Sequence, residues 1–165
     1  MKLVTLLRHA KSSWANPDQD DHDRPLNARG NNDAPDMAER LLETSCNPDL
    51  VLCSSAIRTQ QTAAVYMNAL NIEPARLQVH EALYLASAGT ILEFIQQTDN
   101  AVNHVMIIGH NPGLEILGRQ LHPAAPAQLP TCAVLHFALH GTSFKIGSET
   151  EIELLLYDFP KSRNS

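Results

Sequence analysis

Leu3-Val4-Thr5-Leu6-Leu7-Arg8-His9-Ala10-Lys11-Ser12 decides how the rest of the chain reads. An uncharged, mostly apolar run ends abruptly in an arginine and a histidine. A short unbroken run of this kind reads as a strand buried on both faces, the pattern of parallel sheets flanked by helices. Such a strand delivers whatever follows it to one edge of the sheet. Two further runs end the same way: Asp49-Leu50-Val51-Leu52-Cys53-Ser54-Ser55-Ala56-Ile57-Arg58 and His104-Val105-Met106-Ile107-Ile108-Gly109-His110. Two arginines and two histidines at the ends of three strands point to one site for an anionic ligand.

Strand character covers residues 3–7, 49–53 and 104–108, with a short run at Leu77-Gln78-Val79 and later runs at 132–139 and 151–157. Helical patterns lie between them. Residues 34–44 carry an apolar stripe of Met37, Ala38, Leu41 and Leu42, with Asp33 as cap and Pro35 in the first turn. Ser54 and Ser55 stand where they would cap a helix to about Leu70, and Ser87 where it would cap one with Ile91, Leu92, Phe94 and Ile95 on one side. Asn111-Pro112 reads as the N-cap and first-turn proline of a helix ending near Leu121. Residues 11–30 form a long polar loop, and Pro123, Pro126 and Pro130 make 122–130 another. Gly141 and Gly147 around Ser143-Phe144-Lys145-Ile146 suggest an antiparallel edge element. The expectation is a single three-layer α/β domain over residues 1–160, followed by a short polar tail at 161–165. Its central sheet is mostly parallel, with helices on both faces and an antiparallel edge. Ligands of such sheets bind beyond the carboxyl ends of the strands, where Arg8, His9, Arg58 and His110 would meet.

The chain has 165 residues and is 44% hydrophobic, enough for one domain with a real core. A formal charge of −6 argues against a nucleic-acid partner. An acidic protein that binds phosphate must gather its few cations locally, and Arg8, Lys11 and Arg58 are placed to do so. No apolar run approaches the roughly 20 residues that span a bilayer. The N-terminus lacks the basic and long apolar stretches of a secretory signal. Cys46, Cys53 and Cys132 are an odd set without metal-type spacing. A reduced, cytoplasmic location is therefore expected, with no membrane partner. His22, His80, His104, His122, His136 and His140 read as ordinary histidines, so neither a metal nor another cofactor is expected. The Asp18 to Asp23 run lacks the glycine and closing glutamate of a calcium loop and reads as solvated.

Phosphoryl transfer needs the phosphoryl oxygens held while a nucleophile attacks in line. The arginine fork gives two hydrogen bonds to such oxygens, and a helix N-terminus adds backbone donors. Histidine is a competent nucleophile when one ring nitrogen is neutral and the other is fixed by a partner. His9 suits that role, with Arg8, Arg58 and His110 around the phosphate and Lys11 and Ser12 as further contacts. Glu81, in His80-Glu81-Ala82-Leu83-Tyr84, is the candidate acid for an alkoxide leaving group. A cysteine nucleophile fails on counting. A cysteine-phosphatase loop is one residue longer than Cys53 to Arg58 supplies, and Ser54 to Ile57 contains none of the glycines that let its amides converge.

Arg8-His9-Ala10-Lys11-Ser12 closely resembles the signature of the histidine phosphatase superfamily, with the alanine and Lys-Ser of its small SixA-type members. Arg24-Pro25-Leu26-Asn27-Ala28-Arg29-Gly30 resembles the loop that follows in that group. Ser54-Ser55-Ala56-Ile57-Arg58-Thr59-Gln60-Gln61-Thr62-Ala63 is similar to the segment of the second arginine, and Ile108-Gly109-His110-Asn111-Pro112 to that of the second histidine. The resemblance implies a phosphoglycerate mutase-like fold and metal-independent removal of phosphate through a phosphorylated His9, with Arg8, Arg58 and His110 completing the pocket. It favours phosphohistidine on a signalling or phosphotransfer protein as substrate. The alternatives are a small phosphate monoester, or a non-catalytic module that binds phosphate or a phosphoprotein.

Overall fold

The computed structural model describes residues 1–44 and 46–163. Strand β1 (Lys2–Arg8) runs through the middle of a six-stranded sheet, and Val4 to Leu7 are fully buried. It pairs in parallel with β4 (His104–Gly109) and antiparallel with β5 (Val134–His140). β2 (Leu50–Ser54) lies between β4 and β3 (Leu77–His80), parallel to both. β6 (Glu151–Asp158) closes the far edge, antiparallel to β5. The spatial order is β3-β2-β4-β1-β5-β6.

Alternation along the strands divides the core in two. Leu7, Val51, Cys53, Met106 and Ile108 face helices α1 (Ala28–Leu42) and α2 (Ile57–Ala69), meeting Met37, Leu41, Ala63 and Tyr66. Val4, Leu6, Leu52, Val105 and Ile107 face α3 (Ala88–Gln96) and α4 (Gly113–Leu121), meeting Ile91, Ile95, Leu114 and Leu117. Each fully buried leucine or isoleucine contributes about 1.5–3 kcal/mol, so two such layers hold the sheet from both sides. This is the three-layer α/β domain expected, with its antiparallel edge made by β5 and β6. Among the described residues no helix is long and apolar enough to cross a membrane.

Several local expectations are corrected. Helix α1 starts at Ala28, well before residue 34. Asn27 is its cap, its side chain accepting from the Gly30 amide at 2.9 Å, and Pro35 lies inside the helix. The early start is fixed by backbone contact: a Cβ on Gly30 would lie 2.1 Å from the Lys11 carbonyl oxygen. Ser54 and Ser55 do not cap α2. Its first turn is tied back by Thr59 Oγ1, which donates toward the carbonyls of Ala56 and Ser54. Asn111 does not cap α4; its Nδ2 donates to the Leu129 carbonyl at 2.8 Å and to Glu115 at 3.0 Å, pinning the proline-rich stretch. The 143–146 run forms no strand, and buried Phe144 plugs the core instead. Ser87 caps α3 as expected. The polar loop narrows to residues 9–27, with an isolated bridge between Ser12 and Leu26 and a 3-10 turn at Asp21–Asp23. In the expected tail, Pro160–Arg163 form a 3-10 turn against Arg40, which donates to the Phe159 and Pro160 carbonyls; residues 164 and 165 lie outside the described residues.

Candidate active site

Three parallel strands and the start of β5 converge on one cavity of about 200 Å³, lined by Arg8, His9, Arg58 and His110 and also by Lys11, Ser12, Trp14, Arg24 and Thr131. β1 ends at Arg8, β2 leads into α2 with Arg58 as its second residue, and β4 ends one residue before His110. Parallel pairing of β1 with β4 and of β4 with β2 brings these ends side by side. A larger apolar groove beside α2, lined by residues such as Met67, Ile72 and Leu77, holds no ionisable side chain.

His9 is buried and fixed at both ring nitrogens. Its Nδ1 lies 2.7 Å from the Ala10 carbonyl oxygen, which can only accept, so Nδ1 carries the proton. Nε2 then holds a lone pair, and Arg58 Nε points at it from 3.4 Å. Thr62 secures the anchor, its hydroxyl accepting from the Ala10 amide at 3.1 Å. Burial first, and then Arg58, Arg8 and Arg24, push the His9 imidazole down to about 4 against the opposing pull of the Ala10 carbonyl. At neutral pH the ring is uncharged, and its Nε2 lone pair, approached by Arg58 Nε–H, faces the cavity.

His110 stands beside it, ring centroids 5.2 Å apart. Its Nε2 pairs with Ser54 Oγ at 2.7 Å, and that oxygen also accepts from the Ala56 amide at 3.3 Å. A guanidinium can only donate, so Nδ1, 3.4 Å from Arg58 Nη2, holds the lone pair, and Nε2–H donates to Ser54 Oγ. Burial, then His9 and Arg58, lower His110 to about 3, with Asp21 opposing. Arg8 Nη1 donates to the Leu129 carbonyl at 2.9 Å, while its buried Nε has no partner among the described residues. An N–H donor left unpaired in a buried position suits an anion.

Arg58 is held from outside. The Asp21 carbonyl oxygen takes Nη1 at 2.7 Å and its carboxylate takes Nη2 at 3.0 Å. The end of the guanidinium is thus occupied, and its Nε–Nη2 edge faces His9 Nε2 and His110 Nδ1, each at 3.4 Å. Burial works against charge on Asp21, but hydrogen bonds from Tyr84 and Arg58 prevail and hold it down to about 2. Arg24 also bonds Asp21, at 2.8 Å, as well as Ser12 Oγ, with the exposed Trp14 ring over its guanidinium at 3.4 Å.

The structure therefore brings Arg8, His9, Lys11, Ser12, Arg58 and His110 together. It does not bring in Glu81. That side chain is exposed at the start of a 3-10 turn, Glu81–Leu83, outside the cavity and without a polar partner among the described residues. Buried Leu83 anchors the turn so that Tyr84 points inward and Glu81 outward. Sequence reasoning missed Asp21, Arg24, Ser54 and Tyr84. The 18–23 run reads as plain solvated acid, and only the Arg24-Pro25 segment gave a signal. Cys53 is inert, its thiol pushed up to about 12 by burial.

The family model for the histidine phosphatase superfamily, branch 1, matches residues 4–93. An uncharacterized chloroplastic protein of Arabidopsis thaliana is 31% identical over 152 residues, covering 87% of this chain and 69% of that protein. An uncharacterized protein of Mycobacterium tuberculosis is 40% identical over 108 residues, covering 64% of this chain and 63% of its own. Among solved structures, a candidate phosphohistidine phosphatase, SixA, from Agrobacterium tumefaciens superposes with a TM-score of 0.81 at 30% identity, covering 96% of this chain and 98% of that one. A protein histidine phosphatase SixA complexed with tungstate shares the fold at a TM-score of 0.80 and 24% identity, covering 96% and 97% of the two chains.

Proposed function

Because the chain belongs to the histidine phosphatase superfamily, and is thus a phosphatase of the histidine type, we propose that it dephosphorylates protein phosphohistidine through a phosphorylated His9. The observation that carries this reading is the locked tautomer of His9, whose Nε2 lone pair faces the Nε–Nη2 edge of Arg58 and the ring of His110. A phosphoryl group on that edge has its oxygens on Arg58 and beside Arg8 and His110, with its phosphorus in front of the nucleophile; His110 donates to an oxygen once its Nδ1 is protonated with the dianion bound. In the first step Nε2 forms a bond to phosphorus, and the bond to the substrate imidazole breaks. The electron pair stays on the departing ring, which leaves neutral when its distal nitrogen carries a proton. In the second step water attacks phospho-His9, its proton passes to the released phosphate, and the pair returns to Nε2. The Nδ1–H bond to Ala10 serves both steps, because a ring protonated there is a ready nucleophile and then a ready leaving group.

Phosphohistidine is favoured over a monoester by the proton inventory of the site. An alkoxide needs an acid, and the nearby carboxyl, Asp21, is held ionised. The likeness to the Agrobacterium tumefaciens protein supports the same substrate class. The substrate would be a phosphohistidine-carrying signalling or phosphotransfer protein. The test is a brief pulse with a labelled phosphohistidine protein, followed by kcat/KM for that protein, free phosphohistidine and a panel of monoesters. Acid-labile, base-stable label on the wild-type chain, absent from His9→Ala, is expected. A higher kcat/KM for monoesters overturns the substrate class, and no label with no turnover of any phosphodonor leaves only a binding module.

A further inference from the structure

Cys46, His104 and His136 meet at the opposite end of the sheet from the cavity. Thr5 projects from β1 onto the same face as Leu7, with His136 opposite it on β5 and His104 on neighbouring β4. Cys46 reaches them from the connection between α1 and β2. All four are buried, Thr5 completely. Cys46 Sγ lies 3.9 Å from His104 Nε2, and one donor atom from each of Cys46, His104 and His136 falls within 4.8 Å of the others. Thr5 Oγ1 lies 2.8 Å from both His104 Nε2 and His136 Nδ1, and 3.9 Å from the sulfur.

We propose that Cys46, His104 and His136, with Thr5 Oγ1 as fourth donor, form a buried site for a zinc ion. The donor set is the thiolate and imidazole mixture that zinc selects. A tetrahedral ion with Zn–S near 2.3 Å and Zn–N near 2.0 Å places sulfur and nitrogen about 3.5 Å apart and its lighter donors about 3.3 Å apart, so binding draws the sulfur in and moves Thr5 Oγ1 outward from the imidazoles. Binding exchanges the Cys46 thiol proton for the ion and releases it to solvent; both imidazoles bind neutral. Apart from an ion, the polar atoms pair with one another on an otherwise apolar face: one imidazole N–H donates to Thr5 Oγ1, whose own proton goes to the other imidazole. Among the described residues this is the one cluster of its kind. Sequence spacing hides it, since the donors come from four separate segments. Thr5 is four residues before His9, about 13 Å along the strand, so the ion stays clear of the phosphoryl chemistry.

The experiment uses the full chain, freed of metal with a chelator and given Zn2+ or Co2+. The expected results are one Zn2+ retained per chain after desalting, a higher Tm, and a thiolate-to-cobalt charge-transfer band. Cys46→Ser and His136→Gln should each weaken binding by about 100-fold or more, since loss of a ligand's hydrogen-bond partner alone costs about 10–100-fold. Retention that survives both substitutions, a cobalt spectrum without the thiolate band, or no retention overturns the proposal. If neither variant folds, the wild-type cobalt band still decides, because Cys53 and Cys132 have no such ligand partners among the described residues.

Discussion

Replacing Arg58 by methionine removes one charge from the cavity while keeping most of the side-chain length. Its effect on His9 follows in both sign and size. Arg58 Nε lies 3.4 Å from His9 Nε2, where a second positive charge would form on protonation. Two unit charges about 5 Å apart interact by roughly 1 kcal/mol in water and about 3 kcal/mol at an effective dielectric constant near 20. The guanidinium charge is spread over its fork, and the Asp21 carboxylate at 3.0 Å offsets part of it, so the low end applies. The variant's His9 should bind a proton about tenfold more tightly, the equivalent of about 1.4 kcal/mol. Burial leads the causes that hold His9 near 4, and burial remains, so the ring should still titrate below 6.5. A raised pKa means the neutral nucleophile is lost at higher pH. The acid limb of kcat/KM, corrected for substrate ionisation, should therefore move to higher pH by about one unit. Loss of the fork that holds the transition state should lower kcat/KM by a further 10²–10³-fold or so. The assay is a histidine NMR titration of both proteins, with His9→Ala identifying the signal. An unmoved titration would mean that the Arg58 charge does not reach the imidazole. A titration at 6.5 would mean that burial does not lead. Either result refutes the electrostatic account of the nucleophile.

Two other substitutions test the fold around the site. Glu81→Gln should change kcat/KM by less than about twofold on phosphohistidine and monoesters alike, as expected of an exposed surface side chain; a selective loss on monoesters would bring Glu81 back as their acid. Gly30→Ala places a Cβ 2.1 Å from the Lys11 carbonyl oxygen, backbone against backbone. It should cost about 1–3 kcal/mol, and with 2–4 °C of Tm for each, calorimetry should show a drop of roughly 2–12 °C. An unchanged Tm would mean that the α1 terminus is not docked on the segment following His9.

The parts of this fold that show in the sequence are those whose burial is complete. β1, β2 and β4 are covered on both faces, so each appears as an apolar run, and the residue after each run falls at the carboxyl edge. That is why Arg8, His9, Arg58 and His110 could be placed together across about fifty residues at a time. The start of α1 did not show, because its first turn is Ala28-Arg29-Gly30-Asn31, with no apolar stripe. Its contact is the bare backbone of Gly30 against Lys11, and hydrophobic periodicity carries no trace of such an approach. The outward position of Glu81 was hidden for a related reason. A one-turn 3-10 segment has no repeat long enough to reveal which side chain faces in, and the choice between Glu81 and Tyr84 falls to the anchor at Leu83. The Cys46 cluster was hidden for a third reason. Strand register, not sequence spacing, brings His104 and His136 to Thr5.

Asp21 explains how a chain of net charge −6 keeps three arginines around one small cavity without a bound anion. A carboxylate bonded to Arg58, Arg24 and Tyr84 neutralises part of that charge and fixes where the rest points. It occupies the end of the Arg58 fork and sits on the outer side, with its side chain 40% exposed, so it does not fill the space in front of His9. The edge left open is the one facing both imidazoles. Asp21 repels an incoming phosphoryl group, but as one partly solvated charge it is screened, whereas Arg58 at 4% side-chain exposure is not. The net field at His9 Nε2 therefore stays positive, in keeping with the downward push of Arg58, Arg8 and Arg24 on that ring. A carboxylate beside a phosphate pocket would ordinarily count against anion binding. Here its position makes it the group that aims Arg58, and preorganised donors of this kind are worth most in a buried site, where nothing needs to turn when the phosphoryl group arrives.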